Sequence, residues 1–146
     1  MSCKWGYQFI MEYRQHNRVI KIMIKEAYCS YEVSKLLKEK GFDGKCRYYY
    51  PNSHTQLISY VDCAQSQMFG NDACIAPTHQ MAMKWLREVH NIAINIGWGE
   101  IFEDLYQWWS IVLNMDNGNI LCDENYNASY EDAVKAALKY SLGNLI

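Results

Sequence analysis

The side chains best suited to nucleophilic or metal chemistry are the histidines His79 and His90 and six cysteines, at positions 3, 29, 46, 63, 74 and 122. A metal site needs clustered ligands. On one helix, at ~1.5 Å rise per residue, His79 and His90 stand about 16 Å apart, too far to share an ion. The chain contains no Cys-x-x-Cys and no His-x-x-x-His spacing, so no metal and no cofactor is expected. Cys63 or Cys74 could pair with His79 as nucleophile and base, but no catalytic signature surrounds either cysteine. Glu100, Glu103 and Asp104 could supply paired carboxylates of the glycosidase kind. Neighbouring acids in one loop after a strand read more simply as solvated surface. Gly97-Trp98-Gly99 reads as a turn and precedes no helix, so it is not a phosphate loop. Asp116-Asn117-Gly118-Asn119 is too short for a calcium loop and reads as a hairpin turn. No catalytic residue is assigned, and the expectation is a protein that is not an enzyme.

One constellation suits a ligand. Thr78, His79 and Gln80 sit where a helix begins, and the free backbone N–H groups there favour an anion. Lys84 follows within two turns, and Trp85 offers a ring. Thr78, His79, Gln80, Lys84 and Trp85 are therefore the ligand-binding set that the residues suggest. The competing reading is a capped helix with Trp85 in the core, since capping alone accounts for Thr78.

The elements that must position these residues follow from periodicity. Ser129 can cap a last helix, with Asp132 three residues on, and Ala133, Val134, Ala137, Leu138 and Leu142 form one apolar stripe. A middle helix follows Pro77 and Thr78, with the stripe Met81, Ala82, Trp85, Leu86 and Val89. A first helix begins at Ser30, uses Val33, Leu36 and Leu37, and ends at Gly41, with Phe42 closing over it. Between helices the period becomes two. Cys46, Tyr48 and Tyr50 alternate with Arg47 and Tyr49; Pro51-Asn52-Ser53 turns the chain; 56–61 returns. Ile92, Ile94 and Ile96 form a third strand and 107–113 a fourth. Asn117-Gly118 is a hairpin signal that lets 120–122 return as a short edge strand. The expected fold is α+β in αββαββα order, an antiparallel sheet of about four strands with three helices mainly on one face. Trp85, Leu86, Val33, Leu37, Val134 and Leu138 are expected to share its core. No linker divides residues 1–146, so one domain is expected, with residues 1–22 readable as an N-terminal extension.

Composition narrows the class. Half of the 146 residues are hydrophobic, 21% are charged, and the formal net charge is −2. That is globular composition without the basic excess of a duplex-binding protein, which argues against generic nucleic-acid binding. No apolar run is long enough to span a bilayer, and the N-terminal residues lack a signal-peptide plan, so no membrane partner is expected. Reduced, buried cysteines in a cytoplasmic protein are the expectation. Twelve tyrosines and five tryptophans suit cores, interfaces and ligand walls alike.

The runs Ala76-Pro77-Thr78-His79-Gln80-Met81-Ala82-Met83-Lys84-Trp85-Leu86-Arg87-Glu88-Val89-His90 and Ser129–Tyr140 resemble those of a family of small uncharacterised proteins common in gut Bacteroidales genomes, their mobile elements and their phages. The resemblance covers roughly Met23 to the C-terminus. It is fairly specific in the middle helix and generic in the last. The chain departs from the family in its N-terminal extension and in an insertion-like stretch, Asn114–Asn127. No activity is established for the family, so the resemblance implies only an accessory role in a mobile element or phage.

The first functional expectation is thus a non-enzymatic interaction protein, binding a host protein or itself. The alternative is a small-ligand binder, taking a nucleotide-like or other small anionic ligand at the middle helix. A homodimer is expected through the helix-free face of the sheet, because its strands are apolar at both parities. Residues 1–29, with Ile20, Ile22 and Ile24, are the competing cover for that face.

Overall fold

Each helix starts where a hydroxyl side chain can take the place of a missing turn. A computed structural model describes residues 25–54, 56–59 and 70–146 of the chain. Helix α1 spans Tyr31–Glu39, and Ser30 accepts from Val33 N at its start. Gly41, at φ 86°, turns the chain left-handed. This lets Gly41 N donate to Lys38 O and Phe42 N to Leu37 O, which closes the last turn under the buried Phe42. Helix α2 spans His79–His90, capped by Thr78 and ended by Asn91 in the left-handed region. Helix α3 spans Tyr130–Asn144. Ser129 accepts from Asp132 N and donates to the Asp132 carboxylate, which closes a reciprocal cap.

The described strands form two antiparallel sheets of three rather than one sheet of about four. The small sheet has the order β2-β1-β3, with β1 Tyr48–Tyr50, β2 Ile58–Ser59 and β3 Cys74–Ala76. Strand β3 had no expectation behind it, and it takes the pairing edge beside β1. The strand alternates as the period of two predicts. Tyr49 is buried, while Tyr48 and Tyr50 are half-buried; Tyr50 sends its hydroxyl to Cys29 O at 3.0 Å. Of the expected return strand, positions 60 and 61 lie outside the described residues.

The large sheet is a meander, β4 Ile92–Phe102, β5 Leu105–Asn114 and β6 Ile120–Asn127. Gly97-Trp98-Gly99 is not a turn: it runs on through β4, opposite Trp109, Trp108 and Gln107. The chain reverses instead at Glu103-Asp104, between the paired Phe102 and Leu105, with Asp104 at φ 62°. The acids once read as a loop are therefore the free end of a long hairpin. Beyond Asn114 the chain turns through 115–119, with Gly118 at φ 72°. The stretch that resembled an insertion then continues as β6, a full edge strand and not a short one.

Helices α2 and α3 pack on one face of this sheet. Val33, Leu37, Leu86, Val134 and Leu138 share one core with Ile92, Ile94 and Val112, as the periodicity predicts. Trp85 does not enter that core fully. It lies half-buried at its margin, in edge contact with Phe42 at 5.6 Å and His90 at 4.6 Å. Val89, the last residue of the expected stripe, is exposed, and Met83 is buried in its stead. One core position works against stability. Ser110 is buried on the helix side of β5, and its hydroxyl has no hydrogen-bond partner among the described residues. Removing a buried unpaired hydroxyl relieves its desolvation, so Ser110→Ala should raise stability by about 1 kcal/mol. A urea midpoint unchanged or lowered would show that the hydroxyl is satisfied.

Candidate functional site

The N-terminus of α2 is closed rather than open. Thr78 is buried, and its hydroxyl accepts from Met81 N at 3.2 Å. The preceding chain pairs with this end: His79 N donates to Ala27 O and Cys29 N to Pro77 O, around a bridge between Tyr28 and Thr78. Two amides that an anion would use are thereby taken. Gln80 is exposed and donates from Nε2 to the Tyr130 hydroxyl at 3.2 Å. Lys84 lies a turn further on, paired with Glu88 at 3.6 Å on the exposed side. Trp85 packs towards Phe42 and His90 at the opposite end of the helix. The fold brings Thr78, His79 and Gln80 together, with Lys84 one turn on towards Glu88 and Trp85 turned to Phe42 and His90.

His79 is buried, and its Nδ1 has no partner among the described residues. Burial holds its pKa below the ordinary 6.5; the Glu131 charge opposes this and Lys135 adds to it. As pH falls, the unfolded chain therefore takes up this proton before the folded one does. The stability tied to neutral His79 is complete above about pH 6.5 and declines as pH drops towards the folded value. His79→Gln should flatten the fall in stability between about pH 7 and 5. An unchanged slope in denaturant titrations would assign that fall to other groups.

Burial holds Cys29, Cys46 and Cys74 as thiols. Cys29 is fully buried, and burial, with Cys46 beside it, pushes its pKa up to about 12. Cys74 in β3 is pushed up to about 11 by burial, against the opposing charges of Lys38 and Lys35. Its sulfur faces Tyr31 O at 4.0 Å rather than His79. Cys63 lies outside the described residues. A thiolate is the reactive form, so Cys29 and Cys74 should label with a neutral-pH disulfide reagent only on global unfolding. Labelling of either at the rate of an exposed thiol would contradict their burial. Among the described residues no group of three metal-binding side chains occurs, and no helix is long and apolar enough to cross a membrane.

The surface with the most distinctive chemistry is the large sheet. On its helix side, register places Trp98 opposite Trp108. Tyr106 stacks on Trp98 at 4.9 Å and 21°, and Trp108 meets Tyr130 edge-on at 5.4 Å. A row of rings thus runs from the start of α3 to the hairpin end. On the other face Trp109 lies flat over Gly97. A Cβ built on that glycine would fall 2.0 Å from the indole Cζ2. On β4 and β5, Ala93, Ile111 and Leu113 share this face by alternation, with Asn95 and Gln107 as the polar members there. The helices pack on the opposite face, and Ala93, Trp109, Ile111 and Leu113 are half-buried. Sequence reasoning missed both features because it ended β4 at Ile96. The signal was present in Phe102 and Leu105 flanking a two-residue turn. Residues 1–22, and Ile20, Ile22 and Ile24 as a cover, lie outside the described residues. No family model matches the chain, and no curated protein or solved structure matches it.

Proposed function

We propose that the protein acts by association rather than by catalysis, as an interaction protein that self-associates through the helix-free face of β4-β5-β6. The carrying observation is the make-up of that face. On β4 and β5, Trp109, Ile111 and Leu113 line it with the uncharged Asn95 and Gln107, and Ile120 opposite Leu113 is 58% exposed; Asp123 and Glu124 belong to the β6 edge, at the register shift opposite Ile111. A two-fold contact sets each residue against the same patch on the other copy. A charged face would repel itself there, and the β4–β5 part of this one is apolar and uncharged. Three strands about 4.8 Å apart and roughly eight residues long at ~3.3 Å per residue give a footprint of a few hundred Å² per partner. Doubled over both partners, that is below the usual size of stable specific interfaces, so the expectation is a weak, transient association, micromolar at best. The high thiol pKa values of Cys29 and Cys74 and the burial of His79 agree with a non-catalytic role.

Sedimentation of two charge-introducing variants tests the assignment. Ile111→Glu places a carboxylate on the proposed face, and Val89→Glu places one on exposed α2. Ile111→Glu should be monomeric where wild type and Val89→Glu are dimers. Retention of the dimer by Ile111→Glu would remove this face as the interface.

A further inference from the structure

The helix side of the hairpin end carries a different chemistry from the neutral face behind it. Between Asn91 and Val134 the chain has eight Asp and Glu residues and no Lys, Arg or His. Three of those acids, Glu100, Glu103 and Asp104, stand exposed at the free end of β4 and β5. The ion pairs among the described residues, Lys84–Glu88 and Lys139–Glu32, involve none of them. The same end exposes large apolar surface: Phe102 is 74% exposed, Trp98 58% and Tyr106 49%. Trp98 and Tyr106 are already stacked, and Tyr106 reaches the Glu100 carboxylate at 3.5 Å. Rings fixed in this way present π faces with carboxylates at their rim. A cation over such a face gains both the quadrupole attraction and the nearby negative charge.

We propose that this hairpin end docks a basic segment of a partner protein, with Arg or Lys side chains stacked on Trp98 and Tyr106 and paired with Glu100, Glu103 and Asp104. The choice of occupant follows from charge. An acidic ligand would meet three carboxylates that have no ion-pair partner among the described residues, and a second copy of the same end would set them against each other. A purely apolar partner would leave them desolvated without counter-charge. A basic, extended segment answers both the rings and the acids.

The test uses the full chain and a synthetic peptide of alternating arginine and alanine, followed by tryptophan emission and calorimetry at low and physiological salt. Binding is expected, weakening as salt rises. Two variants should each lose it by about tenfold or more: Trp98→Ala, which keeps every charge, and the triple Glu100→Gln, Glu103→Gln, Asp104→Asn, which keeps every shape. Glu39→Gln with Glu88→Gln should bind as wild type does. Circular dichroism melts confirm that each variant is folded. Absence of binding overturns the proposal, and so does binding that survives Trp98→Ala, since mere acidity would then suffice. A fall in dimer mass caused by Trp98→Ala, without peptide binding, assigns the hairpin end to self-association and also overturns it. Failure of the helix-free dimer face is read separately, from Ile111→Glu.

Discussion

Replacing Leu138 by alanine should cost about 2–5 kcal/mol in an equilibrium unfolding titration. Leu138 is fully buried on α3, in the cluster where α1, α2 and the large sheet meet. Truncation there removes transfer free energy and leaves a cavity that three packed elements cannot collapse to fill. Leu86→Ala, fully buried on α2, should behave alike. Trp85→Ala is the informative contrast. A fully buried tryptophan would cost about 3–5 kcal/mol, and the half-buried Trp85 should cost roughly half of that. Equal losses at Leu138 and Trp85 would mean that Trp85 belongs to the core after all.

The second large effect lies on the outer face of the sheet. Gly97→Ala should destabilise by about 1–3 kcal/mol, because the new methyl falls inside the Trp109 ring. The indole must lift, which also uncovers it to water and shifts its emission to the red. The effect should be conditional. Once Trp109 is alanine, Gly97→Ala has nothing to displace and should cost little, so a double-mutant cycle should show strong coupling. Additive losses would mean that the glycine is needed for its backbone and not for the ring above it.

The same pair explains where the sequence was readable and where it was not. Ser30, Thr78 and Ser129 cap helices through contacts three residues away, so the three helices and their stripes were legible from local pattern. The α+β class followed from them. Gly97 and Gly99 punctuate a sequence as turn residues do, yet they continue β4 because Trp109, twelve residues beyond Gly97, covers the first of them. That rescue is non-local and leaves no periodic trace. Strand β3 is three residues long and exists through its pairing with Tyr48–Tyr50. The polar run Asp123-Glu124-Asn125 has little strand propensity, and β6 is held as an edge strand by β5. At the start of α2 the cap was legible, whereas its closure by Ala27, Tyr28 and Cys29 depends on chain some fifty residues earlier. Proximity in sequence therefore suggested an open anion site where tertiary pairing takes the His79 amide and the Thr78 cap takes that of Met81.

The claim that the protein works by self-association through the sheet is tested most directly by the mass of the full chain in solution. Light scattering across a concentration series reaching about 200 µM, well above a micromolar dissociation constant, reads it without a label. The weight-average mass should rise towards twice the 17.2 kDa of one chain. A mass that stays at 17.2 kDa across the whole series would contradict the account.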